Sequence, residues 1–182
     1  MKLNIWAKTF FSIYRCLDKL TKAIDSYVKT RAYASFATPL ANITFNSTQN
    51  ITQNLVDLIN KKITLINIKI LVEEILLGIP KKYSKYIIQR YFENNSFLKI
   101  TKRFNVSIRT IARWDKKVLE YAAEYLKLNK YTSAKLASLI GKEKWIYDLV
   151  KTGIENSSHK GYKPSFAIIM KKAHKEYSRI MF

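Results

Sequence analysis

Glycine and proline are both scarce in this chain, 4 and 3 among 182 residues. A loop-rich β architecture spends many of both at its turns, so the shortage points to long uninterrupted helices. Cysteine is rarer still. Cys16 stands alone, which excludes an intramolecular disulfide and suits a reducing compartment; it reads as a small apolar core residue. No long hydrophobic run is free of charge. The most apolar stretch, 63–79, carries Lys69, Glu73 and Glu74, which argues against a membrane span. Lys8 and Arg15 interrupt the apolar N-terminal residues, so no targeting segment is read there and the expected location is the cytoplasm.

Chemistry-bearing patterns are missing too. There is no Gly-rich phosphate loop, no Ser/His/Asp set and no Cys/His cluster. His159 and His174 stand far apart with few acidic neighbours, and Asp57, Glu73 and Glu74 read as a solvated helix face. The expectation is a protein that is not an enzyme, with no catalytic residue, metal or cofactor to assign.

What is present is apolar and basic. A hydrophobic content of 48% is enough for a core and excludes wholesale disorder. Its spacing predicts an all-α fold. Over 4–33, Trp6, Phe10, Ile13, Leu17, Leu20, Ile24 and Tyr27 recur at helical steps. Residues 34–50, with Pro39 and a Ser/Thr/Asn cluster, read as a polar loop. A second long helix is expected from Thr48 or Asn50 to Leu77. Its stripe is Leu55, Ile59, Ile63, Ile66 and Ile70, widened by Leu58, Leu65 and Ile75, with Lys61 and Lys62 outside it or marking a break. Gly78 ends that helix as a permissive C-terminal residue, and Pro80 opens the next. Residues 1–78 thus form a long antiparallel hairpin that packs or dimerises, its wide stripe fitting a homodimer or docking onto the next segment.

Residues 79–131 read as three helices, the last two a helix-turn-helix. Ser96 caps a helix over 97–104, with Phe97, Ile100 and Phe104 on one face. Asn105 sits where the turn needs a positive φ, Val106 plugs the core, and Ser107 is the next N-cap. On the following helix Ile111, Trp114, Val118 and Ala122 face inward, while Arg109, Arg113, Lys116 and Lys117 fall mostly opposite. Residues 132–182 form a C-terminal helical extension. Helices are expected over 134–140, 142–154 and 165–180, with a loop over 155–164; the last helix is basic and amphipathic. The net charge is +20, and it is densest in 80–131, where 13 basic and 4 acidic residues leave +9. Such a field suits phosphate and implies salt-dependent binding.

The residues Pro80, Ile87, Tyr91, Ser96, Phe97, Ile100 and Phe104, then VSIRTIARW (106–114) and Val118, resemble region four of bacterial sigma factors. Related small phage and plasmid regulators carry the same sigma-like helix-turn-helix. The likeness covers about fifty residues of the 182. Thr101 stands where the family often has Ala, Asn105 where it often has Gly, and Arg109 where a base-reading Glu is common. No aromatic-basic promoter-melting motif is read within 1–79, so the resemblance implies DNA reading rather than promoter opening.

These readings converge on a cytoplasmic, sequence-specific DNA-binding transcriptional regulator. Arg109 and Arg113 are expected at base edges. Thr110, Lys116 and Lys117 are expected against phosphates, with Ser96, Lys99, Arg103 and Ser107 near the DNA backbone. The partners expected are double-stranded DNA, a second copy of the chain and RNA polymerase, with no membrane. Three alternatives stay open. They are a sigma factor recruiting core RNA polymerase, a phage DNA-packaging accessory similar to a terminase small subunit, and an interaction protein whose basic face binds an acidic protein.

Overall fold

Helix α1 (Leu3–Ala37) turns one long flank fully inward, and the remaining helices are arranged around it. The computed structural model describes residues 3–37, 45–141, 143–156 and 164–181. After α1 come α2 (Phe45–Gly78) and α3 (Lys81–Ile87), which runs on into a π-helical turn, Ile88–Phe92. Then follow α4 (Phe97–Phe104), α5 (Ile108–Leu128), α6 (Ser133–Ile140), α7 (Lys144–Glu155) and α8 (Phe166–Met181). The fold is all-α, as the scarcity of glycine and proline predicts.

The aromatic-rich stripe of α1 is buried. Trp6, Phe10, Ile13, Leu17, Leu20 and Ile24 are enclosed, Tyr27 is half-buried, and Ala7, Phe11 and Cys16 broaden the contact. This breadth lets α1 meet α2, α5, α7, α8 and the π-helical turn at once. Burial pushes the Cys16 thiol up to about 12, so it stays an un-ionised apolar filler. One buried cluster runs from Trp6 through Ile100 and Val118 to Tyr177, so the segments 1–78, 79–131 and 132–182 share a core.

Three polar contacts fix how α2 lies on α1. Tyr14 Oη donates to Glu73 at 2.7 Å, Lys69 pairs with Asp18 at 2.7 Å, and Lys62 pairs with Asp25 at 2.6 Å. The α1 member climbs from 14 to 25 as its α2 partner falls from 73 to 62, so the hairpin is antiparallel. Such solvent-facing pairs contribute only about 0–1 kcal/mol each; they set register rather than stability.

The structure corrects three expectations about this hairpin. α1 runs on to Ala37 and α2 starts at Phe45, so helix takes both ends of the loop expected over 34–50; Pro39 lies outside the described residues. There is no break at Lys61 and Lys62. The buried face of α2 is the one that Leu58, Leu65 and Ile75 add to the expected stripe, not its central line. Leu58, Leu65, Ile68, Leu71, Val72 and Ile75 are buried, whereas Ile59, Ile63, Ile66 and Ile70 are exposed and Leu55 is half-buried. α2 is apolar on two faces, so helical periodicity alone could not say which one would meet α1.

Lys61 goes inward because acid is waiting for it. Its Nζ lies 3.1 Å from Glu143 Oε1 and 2.7 Å from Glu176 Oε1. Glu143, 1% exposed, also accepts from the Trp145 indole at 2.7 Å and the Tyr177 hydroxyl at 2.9 Å. Burial raises the Glu143 carboxyl above its usual range, and Lys61, Trp145 and Tyr177 pull it part of the way back. Glu176 accepts the Trp145 backbone N–H at 2.9 Å, placing a carboxylate at the start of α7. One charged knot therefore fastens α2, α7 and α8.

Gly78 is needed for a different reason from the one its position suggests. It does not adopt a positive φ; Gly141 is the described glycine that does. A Cβ at Gly78 would sit 2.7 Å from the Tyr125 ring, so the glycine lets α5 approach the end of α2. We expect Gly78→Ala to lower unfolding free energy by about 1–3 kcal/mol through overpacking. Lys61→Ala strands buried carboxylate charge and should cost about 3–5 kcal/mol. Urea denaturation followed by circular dichroism measures both, and wild-type stability in either variant contradicts the packing described.

Candidate nucleic-acid interface

The candidate interface is built on α4, its turn and α5. Ser96 caps α4, its hydroxyl accepting the Lys99 N–H at 3.3 Å. The helix stops at Asn105, which adopts φ 51° and ψ 50°. Asparagine tolerates this left-handed conformation because its short side chain clashes little there. Val106 N–H closes the turn on Thr101 O at 3.2 Å. Ser107 then caps α5, accepting the Thr110 N–H at 3.1 Å.

The two faces of α5 separate cleanly. Ile111, Trp114, Val118, Ala122 and Leu126 are buried, and Trp114 packs edge-on to Tyr83, Tyr86 and Phe104. Arg109, Arg113, Lys116 and Lys117 are all exposed. Lys116 makes a loose 3.8 Å pair with Glu120 one turn on, and Lys117 lies over the Tyr83 and Tyr121 rings.

The other expected contacts are differently placed. The Ser96 hydroxyl is engaged as a cap; the Ser107 hydroxyl is both a cap and 3.0 Å from Thr110 Oγ1. Lys99 is exposed on α4. Arg103 turns back toward the π-helical turn, donating to Gln89 Oε1 at 2.8 Å and lying 3.6 Å from Glu93. Gln89 and Asn95, both buried, bond each other at 2.9 Å, and each donates to Glu93. Arg103 therefore fixes the seat of α4.

Asp115 has a structural part that the sequence reading did not see. It is the sole acid between Ser107 and Leu119. Its Oδ1 accepts from Tyr86 at 2.8 Å and from Tyr91 at 3.0 Å. Five residues apart, these tyrosines would point about 140° away from each other on a regular α-helix. The π-helical turn winds more residues into each revolution and brings both hydroxyls to one acceptor. Burial raises both hydroxyl pKa values, and the Asp115 charge adds to the rise. Burial lowers the pKa of Lys8, and Asp115 opposes that shift.

Two further exposed side chains at α5 were also missed. Ile108, 51% exposed, opens α5 immediately before Arg109, and Lys82 of α3 lies 4.2 Å above the Trp114 ring. Ile108 was legible as an apolar residue outside the inward stripe; Lys82 was not, because only tertiary packing brings α3 against α5. Among the described residues no three His, Cys, Asp or Glu side chains gather as metal ligands, and no helix is long and apolar enough to cross a membrane. His159 lies outside the described residues. Comparison with protein-family models, with curated proteins and with solved structures gives no match to this chain.

The buried tyrosines make stability sensitive to alkali. Tyr86, Tyr91 and Tyr177 all ionise above the ordinary tyrosine value, chiefly through burial. In the unfolded chain they lose their protons near pH 10. The stability they contribute is therefore complete below that pH and is lost as pH rises through and beyond it. Each should contribute a slope of about 1.4 kcal/mol per pH unit in that window. Urea denaturation at stepped pH values measures the slope; stability unchanged above about pH 10 contradicts the assignment.

Proposed function

We propose that the chain is a sequence-specific, double-stranded-DNA-binding transcriptional regulator that reads the major groove with α5 and acts as a homodimer. One observation carries the reading: Arg109 and Arg113 stand free on the face of α5 opposite Ile111, Trp114 and Val118, which hold the helix to the core. An α-helix fits the major groove with one side, and a guanidinium can donate two hydrogen bonds to guanine. Ile108, exposed next to Arg109, offers an apolar contact to a thymine methyl. Lys116 and Lys117, with Lys82 alongside, supply cations for the flanking phosphates. Asp115 strengthens the reading, because its carboxylate is turned inward to two tyrosines. Both contact lists change: Arg103 leaves the phosphate set, and Ile108 joins the base-reading set.

The test begins with selection of bound sequences from a random duplex pool, followed by anisotropy titrations on selected and scrambled sites. Arg109→Ala and Arg113→Ala should each lose about 1–3 kcal/mol on the selected site and much less on the scrambled one. Lys117→Ala should weaken both alike and flatten the salt dependence by roughly one unit of slope. Equal losses on both duplexes for the arginine variants would sink base reading by this face. The absence of any salt-dependent duplex binding would sink the function.

A further inference from the structure

The outward face of α2 carries a pattern whose apolar members stay exposed; its one acid, Glu73, accepts from Tyr14 of α1 at 2.7 Å. Val56, Ile59, Ile63, Ile66, Ile70, Glu73 and Leu77 follow one another in alternating steps of three and four. The six apolar members are between 38% and 88% exposed. This is the seven-residue repeat by which one helix lays a seam against another, and it runs for three repeats, about 32 Å. The opposite flank of α2, from Leu58 to Ile75, already fills the core, and among the described residues these isoleucines stay exposed.

We propose that this seam is where two copies of the chain join, through an antiparallel pairing of their α2 helices. The inference deepens the homodimer of the proposed function and does not depend on DNA reading. The residues in and beside the seam favour a second copy of the chain in one direction. In an antiparallel pair centred between Ile63 and Ile66, Glu73 faces Val56 of the other copy and Ile70 faces Ile59. Along one border Asn60 meets Asn67 and Gln53 meets Glu74, which are hydrogen-bonding partners without like charge. Along the other border Lys62 approaches Lys69, but each is already neutralised by Asp25 or Asp18 of its own α1. A parallel pair would instead stack Glu73 on Glu73 inside the seam, and isoleucine at both seam positions favours more than two parallel strands. The arrangement is thus complementary to itself in one direction.

Mass measured by light scattering without DNA tests this directly. At micromolar concentration the wild type should show twice the 21.3 kDa chain mass. The dimer should strengthen with salt, because two chains of +20 repel each other, whereas DNA binding should weaken. Ile63→Glu combined with Ile66→Glu, both at exposed positions, should halve the mass while leaving the helical circular dichroism intact. Orientation is read independently by a short bis-maleimide, to which buried Cys16 is closed. Val56→Cys combined with Glu73→Cys should cross-link two chains. Val56→Cys alone should not, because the two copies of residue 56 lie about 25 Å apart in this pairing. A wild type at single-chain mass leaves the seam to some other partner and overturns the proposal, whatever the DNA titrations give. So does a dimer mass that survives the double glutamate variant, and cross-linking by Val56→Cys alone overturns the antiparallel direction.

Discussion

The enclosure of Trp6, Phe10 and Phe11 is the constraint on which the rest of the structure depends. Each large side chain removed from water contributes about 1.5–3 kcal/mol, and this gain is realised only if other elements cover α1 on several sides. A long helix with so broad an apolar flank cannot be satisfied by one neighbour. α2, α5, the π-helical turn, α7 and α8 all pack on α1. The basic face of α5 points outward because α1 claims the opposite one. The orientation of the candidate DNA-reading helix is therefore fixed by a segment distant from it in sequence.

Electrostatics are sorted by the same geometry. The chain has 13 acidic residues, and several lie where cations of other elements need them: Asp18 and Asp25 with α2, Glu143 and Glu176 with Lys61, Glu93 with Arg103. Asp115 is held on the inner side of α5 by tyrosine hydroxyls. With acid consumed by structure, Arg109 and Arg113 are left without a carboxylate among the described ion pairs. The field available to a phosphate backbone is thus stronger over this face than composition alone indicates.

Much of this was legible because it is local. The caps Ser96 and Ser107, the left-handed Asn105 and the inward row from Ile111 to Ala122 follow from rules acting within a few residues. The stripe of α1 was readable because its other side is polar. What stayed hidden depends on partners distant in sequence. α2 has two apolar faces, and only the demand of Lys61 for Glu143 and Glu176 helps to say which turns inward. Gly78 does end α2, as expected, but the packing reason for a glycine there was hidden because nothing nearby in sequence reveals the Tyr125 ring beside it. The inward role of Asp115 depends on a π-helical turn that no composition rule announces.

That turn makes the winding of a short stretch the quantity that aims the basic helix. A π-helical turn carries one residue more than the α-helical turn it replaces. Were the same residues between Tyr86 and Tyr91 wound as a regular α-helix, everything downstream would turn by about 100° relative to α3, taking Tyr91 off Asp115. Loss of one residue together with a return to α-helical winding would leave Tyr91 about 40° from Tyr86 and still facing Asp115, so the arginines keep their aim only while length and winding change together.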